Sequence, residues 1–164
     1  MRGFALFVIG IGVGILLMHP VSAQNGVQTG AGMKLNHVAI AVRNYDEAVA
    51  YYTKTMGFRE AFAFRQPDGK PILTYLQISR ETFLEIQPAT PENPPGMVHL
   101  GIETGDAKAT VARLKRMGAK VNEITASARS GALLTTVADP EGIRSELLEF
   151  GPASLQRKTM DAWK

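Results

Sequence analysis

Two short stretches of the sequence, LNHVAI at residues 35–40 and MVHLGI at residues 97–102, share one pattern. Each is a run of mostly apolar residues with a histidine in third place, which is typical of a buried strand. The same pattern at two places in the chain indicates an internal repeat. The sequence is therefore predicted to form two similar halves, each built outward from its histidine strand.

The order of elements is predicted to be the same in both halves. After each histidine strand in the sequence, a helical pattern begins at an N-cap residue, Asn44 or Asp106, and ends at a glycine, Gly57 or Gly118. Three further strand patterns follow, at residues 58–66, 71–79 and 82–87 in the first half and at residues 120–125, 132–138 and 143–150 in the second. The predicted fold class is therefore α+β, with two βαβββ modules whose sheets enclose a cup.

The first residues of the chain predict export. Arg2 precedes an apolar stretch at residues 4–18, and Ala23 ends a small-residue cleavage pattern. This stretch is too short to cross a bilayer comfortably, so no stable membrane anchoring is expected after cleavage. Residues 1–23 are predicted to be a signal peptide and residues 24–32 a flexible leader. The mature protein is expected to be periplasmic or secreted.

Composition limits the remaining possibilities. The chain has 164 residues, of which 45% are hydrophobic, as expected for one globular domain. It has no cysteine, which excludes disulfides and thiolate chemistry. The net charge is +3 and the basic residues are scattered, so no nucleic-acid partner is expected. The domain is predicted at residues 33–152, with modules at 33–88 and 97–150 and a C-terminal tail at 153–164.

Four residues at equivalent positions in the two halves predict a metal site. Only two histidines, His37 and His99, follow the signal peptide. Glu85 follows His37 by 48 positions and Glu146 follows His99 by 47, each within an apolar strand pattern. A carboxylate among core residues is costly unless a positive charge compensates it. These residues are therefore predicted to bind one divalent metal ion. Glu149, three residues beyond Glu146, is predicted to face solvent, because strand side chains alternate between faces.

The donor set indicates what such a site does. Two imidazoles and two carboxylates form a neutral complex with a doubly charged ion, and they suit zinc, nickel, cobalt, iron or manganese. Open coordination positions bind a substrate through neighbouring oxygen atoms, and the metal then polarises a carbonyl group. A ligand carboxylate released from the metal can act as a general base.

The chain resembles the vicinal oxygen chelate superfamily, also called the glyoxalase/bleomycin-resistance/dioxygenase superfamily. The matching segments are LNHVAIAV, NYDEAVAYYTKTMGF, TFLEIQP, MVHLGIE and ADPEGIRSELLEF. The metal ligands of four-ligand members such as glyoxalase I match His37, Glu85, His99 and Glu146. The two glutamates of those members carry the proton transfer, so the resemblance implies that Glu85 and Glu146 are candidate catalytic residues. Arg129 lies in a loop where relatives place basic residues that contact substrate.

The resemblance also implies a function and an assembly. The leading interpretation is a glyoxalase-like lyase or isomerase acting on a small α-hydroxycarbonyl-like substrate. Methylmalonyl-CoA epimerases are similar too, although they generally carry paired histidines where this chain has Val98 and His99. The alternatives are a non-catalytic drug-binding protein of the bleomycin-resistance type and a metal-dependent dioxygenase. The resemblance further implies a homodimer whose sites combine first-half ligands from one chain with second-half ligands from its partner.

Overall fold

A computed structural model describes residues 32–164, which include both βαβββ modules. Residues 1–31, with the predicted signal peptide and nearly all of the leader, lie outside the described residues. Among the described helices, none combines the length and apolarity that a bilayer crossing requires.

The elements follow the predicted order. The first module contains β1 (Met33–Val42), α1 (Tyr45–Ala50, continued by a π-helical turn at Tyr51–Thr55), β2 (Arg59–Arg65), β3 (Pro71–Ser79) and β4 (Thr82–Pro88). The second contains β5 (Gly96–Thr104), α2 (Ala107–Arg116), β6 (Thr125–Ala126), β7 (Leu133–Ala138) and β8 (Arg144–Glu149). A last helix, α3 (Leu155–Asp161), follows both modules.

The eight strands of residues 32–164 form one sheet in the order β2-β3-β4-β1-β5-β8-β7-β6. Within each module the first strand runs parallel to the last, β1 beside β4 and β5 beside β8. The modules meet where β1 pairs antiparallel with β5. This arrangement confirms the α+β class and the two βαβββ modules that form a cup.

The two faces of the sheet carry different apolar clusters. Tyr75, Phe83 and Leu148 belong to the cluster on the face that carries the predicted metal ligands. Leu76 and Ile86 belong to the cluster that packs against α1 on the opposite face. Strand alternation explains the division, because residues 83 and 85 of β4 share one face and residues 84 and 86 share the other.

Three local expectations need correction. The segment predicted as a C-terminal tail forms α3, and its Met160 is 1% exposed within the core. The strand predicted at residues 120–125 shrinks to Thr125–Ala126, because only Val121 bridges to β7 before it. Asn44 precedes α1 but makes no side-chain cap, since its Nδ2 donates instead to Oε2 of Glu47 at 3.0 Å.

Candidate metal centre

The strand register brings the two histidines onto adjacent strands at the junction of the modules. His37 of β1 lies opposite Gly101 of β5, and His99 of β5 lies opposite Ala39 of β1. The two pairs are related by an approximate two-fold exchange of the modules. Both imidazoles therefore project from the middle of the sheet, where its strands are paired on both sides.

The glutamates reach the same place from the last strand of each module. Glu85 of β4 lies opposite Ala39, and Glu146 of β8 lies opposite Gly101. In both modules, the glutamate therefore pairs with the residue two positions after the histidine. This repeated register is the structural origin of the nearly equal sequence spacings.

The four side chains come together within one chain. Nε2 of His37 lies 3.1 Å from Nε2 of His99 and 3.6 Å from Oε2 of Glu85. Nε2 of His99 lies 3.9 Å from Oε2 of Glu85 and 3.5 Å from Oε2 of Glu146. The structure thus gathers all four sequence-predicted residues at one point.

These separations fit a single cation. Ligand atoms about 2.1 Å from one ion lie roughly 3.0 to 3.4 Å apart in octahedral or tetrahedral geometry, so small shifts of the side chains suffice. Ligand atoms of His37, Glu85 and His99 all lie within 4.8 Å of one another, and all three residues are buried. These three residues could hold a metal ion, and Glu146 stands next to them as a fourth donor.

The expectation of sites shared between two chains is wrong for this structure. A shared site would require each module to pair with a module of the partner. Instead, β1 and β5 of the same chain pair directly, so His37 and His99 meet without a second copy. The homodimer itself stays a prediction, but the site does not require it.

Burial sets the charge state of the histidines. His37 is fully buried, which lowers its pKa to about 3, with smaller effects from His99 and Arg144. Burial also lowers the pKa of His99 to about 4, and Arg144 contributes. Both imidazoles are therefore neutral at neutral pH, which is the form that binds metal.

Burial acts on the carboxyl groups in the opposite direction. The pKa of Glu85 is raised to about 7, mainly by burial; the Tyr75 hydroxyl and Arg144 lower this pKa in part, and Glu146 contributes to raising it. Burial also raises the pKa of Glu146, although Arg144 offsets part of the effect. In the metal-free protein near neutral pH, the protonated and the ionised forms of Glu85 are therefore both populated.

Three residues around the centre were missed by the sequence analysis. Asn36 and Tyr75 lie on the first-module side: Oδ1 of Asn36 is 3.1 Å from Nδ1 of His37, and the Tyr75 hydroxyl is 3.4 Å from its Nε2. Arg144 lies on the second-module side, with Nη2 2.7 Å from Nδ1 of His99 and Nη1 3.5 Å from Oε1 of Glu146. The position of Arg144 was readable, because residues 144 and 146 of one strand share a face.

Gly101 makes room for His37. A methyl group at this position would overlap the imidazole ring of His37, whose atoms occupy the space a side chain would take. The ring therefore lies directly on the β5 backbone. The equivalent residue of the first module is an alanine, Ala39, so the two histidines do not have identical surroundings.

A cavity of about 160 Å³ opens above the centre. Its wall contains Glu85 and Glu146, together with apolar side chains from both modules, namely Phe64, Leu73, Leu134 and Leu148. Arg129 also lines it, so the structure places this candidate substrate-binding residue in the same cavity as the metal-binding candidates. Gln156 of α3 lines the cavity as well, which the expected tail did not anticipate.

Glu149 points away from the cavity, as strand alternation predicts, but it is not simply solvent-facing. Its Oε2 accepts a hydrogen bond from the backbone N–H of Ala107 at 2.8 Å, at the first residue of α2. A negative charge there stabilises a helix N-terminus. Asp106 caps the same helix, with Oδ1 2.8 Å from the N–H of Ala109, as the sequence predicts.

Comparison with known proteins agrees with this geometry. The profile described as Glyoxalase/Bleomycin resistance protein/Dioxygenase superfamily matches residues 34–147, which is more than half of the chain. The chain belongs to this superfamily. The cluster of His37, Glu85 and His99 that could hold a metal ion lies within the matched range.

Individual relatives are distant. A protein named probable lactoylglutathione lyase, chloroplastic, from Arabidopsis thaliana is 26% identical over 127 residues, covering 73% of this chain and 36% of the relative. The chain thus spans about a third of that relative's length. The methylmalonyl-CoA epimerase of Mycobacterium tuberculosis is similar in structure, with a TM-score of 0.60 at 20% identity, covering 72% of this chain and 88% of the epimerase. A variant of the methylmalonyl-CoA epimerase of Streptomyces coelicolor has a TM-score of 0.61 at 21% identity. The match covers 74% of this chain and 96% of the epimerase.

Proposed function

We propose that this member of the superfamily is a divalent-metal-dependent lyase or isomerase that moves a proton next to the carbonyl group of a small oxygenated substrate. One observation carries the proposal: ligand atoms of Glu85 and of the neutral histidines His37 and His99 lie within 4.8 Å of one another, at a cavity whose wall includes Glu85. A carboxylate at such a place can take up a proton from a bound substrate and return it.

His37, Glu85, His99 and Glu146 would hold the cation. A bound divalent ion polarises a carbonyl oxygen and stabilises the negative charge that develops when the adjacent carbon loses its proton. The two neutral imidazoles supply nitrogen donors without adding positive charge. The two carboxylates balance the charge of the ion, so burial of the whole centre is less costly than burial of its separate charges.

The two carboxylates are suited to different tasks. Glu85 is 4% exposed, and the Tyr75 hydroxyl favours its ionised form. The Glu146 side chain is 16% exposed and lies on the Arg144 side of the centre. Glu85 is therefore the better candidate for taking up and returning a proton in a dry environment, and Glu146 for exchanging a proton with solvent.

The cavity favours a small substrate. Its volume of about 160 Å³ and its apolar wall suit a short carbon chain that reaches the metal through neighbouring oxygen atoms. Arg129 offers a positive charge to an anionic end of such a molecule. An α-hydroxycarbonyl compound or a related keto acid has these properties.

Proton transfer can be tested without knowing the natural substrate. Protein reconstituted with zinc, nickel, cobalt, manganese or iron is incubated in D₂O with a panel of α-hydroxycarbonyl compounds, and deuterium uptake next to the carbonyl is followed by NMR. Uptake is expected with at least one metal and is expected to be lost in Glu85→Gln. Glu149→Gln is the matched control on the opposite face and should retain it.

The alternative functions predict other results in the same samples. A non-catalytic binding protein of the bleomycin-resistance type would bind compounds without deuterium uptake and without a need for metal. A dioxygenase would consume oxygen with iron alone. Either result would overturn the lyase or isomerase proposal.

Export and dimer formation are separate proposals. A cleaved signal peptide requires a mature protein that starts at Gln24, which intact-mass measurement of the periplasmic or secreted fraction tests directly. Light scattering of that protein would detect a homodimer. A chain that starts at Met1 in the soluble fraction would contradict export.

A further inference from the structure

The side chains at the candidate metal centre form a series of hydrogen bonds, and the partners at its two ends fix the direction of each bond. One end of the series is Asn36, which is fully buried. Its Nδ2 lies 3.2 Å from the backbone carbonyl oxygen of Glu81, which can only accept a hydrogen bond. Nδ2 is therefore the donor to Glu81, and the other end of the amide, Oδ1, faces Nδ1 of His37 at 3.1 Å. Because Oδ1 can only accept, Nδ1 of His37 carries a proton.

Arg144 stands at the other end of this series of hydrogen bonds. Its guanidinium has only donors, and Nη2 lies 2.7 Å from Nδ1 of His99. Nδ1 of His99 is therefore the acceptor and carries no proton. An imidazole keeps at least one proton under ordinary conditions, so the proton of His99 is on Nε2.

The contact between the two histidines agrees with both ends. Nε2 of His99 lies 3.1 Å from Nε2 of His37. With its proton on Nε2, His99 donates to the bare Nε2 of His37. One direction thus runs through every contact, from Arg144 to His99, to His37 and to Asn36, and each neutral imidazole carries one proton.

The two histidines are consequently held in opposite tautomers. A metal ion at the centre needs the lone pair of Nε2 from both rings, because these are the atoms that face each other and the two glutamates. His37 already offers that lone pair. His99 offers it only after its proton moves from Nε2 to Nδ1, and the donor Nη2 of Arg144 stands against Nδ1.

We propose that Arg144 opposes metal binding by holding His99 in the tautomer that cannot bind the ion, and that it must leave Nδ1 of His99 before the centre can form. Asn36 has the opposite role, because it holds His37 in the tautomer that binds. Both are positioning residues, and the inference rests on the metal-dependent function proposed above.

Arg144 has space and a second partner for this movement. Its side chain is 44% exposed, so the guanidinium can turn toward solvent without breaking a packed core. Its Nη1 lies 3.5 Å from Oε1 of Glu146, which provides an alternative anchor. Asn36, by contrast, is fully buried and tied to the β3–β4 turn through Glu81, so the His37 side is fixed.

The tautomers can be observed without metal. Long-range ¹H–¹⁵N NMR distinguishes the two ring nitrogens, and only His37 and His99 give signals in a protein that starts at Gln24. The metal-free protein is expected to show one Nδ1–H and one Nε2–H tautomer. Arg144→Met should move His99 toward Nδ1–H and leave His37 unchanged. Asn36→Leu should release His37 from its single tautomer.

Metal loading then gives effects of opposite sign. With zinc in competition against a chromophoric chelator, Arg144→Met should bind about tenfold tighter and load faster, and Asn36→Leu should bind about ten- to a hundredfold more weakly, the range typical of residues behind a metal ligand. Arg129→Met removes an equal charge from the wall of the cavity above the centre and controls for simple repulsion of the ion. It should leave both tautomers as in the wild type.

Each outcome has a distinct consequence. An Nδ1–H tautomer of His99 in the metal-free wild type, or an unchanged tautomer in Arg144→Met, overturns the role of Arg144 while leaving the metal centre intact. Equal zinc affinity of Arg144→Met and Arg129→Met does the same. Failure of every variant and of the wild type to bind any of the five metals would overturn the proposed function and, with it, this inference.

Discussion

The two modules supply equivalent ligands from the same register, yet they surround them differently. In the first module, His37 and Glu85 are 0% and 4% exposed and lie between two buried side chains, Asn36 and Tyr75. In the second module, Glu146 is partly exposed and an exposed cation, Arg144, contacts both ligands. A repeated backbone thus fixes where ligands lie, whereas the neighbouring side chains decide how ready each is to bind.

The difference gives the centre a closed side and an open side. We expect water, substrate and metal to reach the centre most easily beside Glu146, because its side chain is 16% exposed and that of Glu85 is only 5% exposed. The following predictions test this difference between the modules, beginning with the largest effect.

Loss of a ligand should cost more on the closed side. We expect His37→Ala and Glu85→Ala to weaken zinc binding by more than about a hundredfold, beyond the range for loss of a residue behind a ligand. Glu146→Ala should weaken it less, because water can replace an exposed oxygen donor more easily than a buried one. Competition titration against a chelator measures all three. If Glu146→Ala is the most damaging variant, the assignment of closed and open sides is wrong.

The close contact between β5 and the His37 ring allows a second test. Gly101→Ala should displace the His37 ring and reduce zinc affinity nearly as much as His37→Ala, because the added methyl group and the ring cannot occupy the same space. The matched change in the other module, Ala39→Gly, removes a methyl group and should cost only about 1 kcal/mol of stability. Zinc titration and thermal unfolding of both variants separate the two effects. Equal zinc affinities for both variants would contradict the steric role of Gly101.

The ligands of this centre could be predicted from the sequence, because they occupy equivalent positions in the two repeated modules. The histidines, the glutamates and the cup follow from matching patterns at residues 33–88 and 97–150. The surroundings of the ligands did not follow, because each depends on a single contact across strands. In the sequence, Asn36 resembles any other strand residue, and only the structure shows its contact with His37. Gly101 matters because the His37 ring packs where a side chain at that position would lie.

The choice of partner strand was also beyond the sequence. The same two modules can pair within a chain or between chains, and the local patterns are identical in both cases. In the structure, β1 pairs directly with β5 of the same chain, so the two modules pair within one chain. Arg144 was the exception, since its place two residues before Glu146 put it on the ligand face and was available from alternation alone.

The pH dependence of metal binding should reflect the closed side. Both histidines are already neutral above about pH 4, so protons compete with the metal mainly at Glu85, whose pKa is about 7. Glu85 must lose its proton to bind, so affinity should fall by about tenfold per pH unit below pH 7 and level off above it. Zinc titrations between pH 5.5 and 8 measure this. An affinity that stays constant down to pH 5.5 would show that Glu85 is ionised without metal.

The smallest effect is expected from Glu149, which shares β8 with Glu146 but projects from the other face. Glu149→Ala removes the carboxylate that accepts the Ala107 N–H, so helix α2 keeps only the Asp106 cap. Loss of such a contact costs about 0.5–2 kcal/mol of stability. Glu149→Gln keeps an accepting oxygen and should cost less. Chemical unfolding of the metal-free variants measures the cost, and a zinc titration of the same samples should show wild-type affinity. Reduced zinc affinity in Glu149→Ala with unchanged stability would mean that β8 presents the wrong face to the cavity and that Glu149, rather than Glu146, completes the centre.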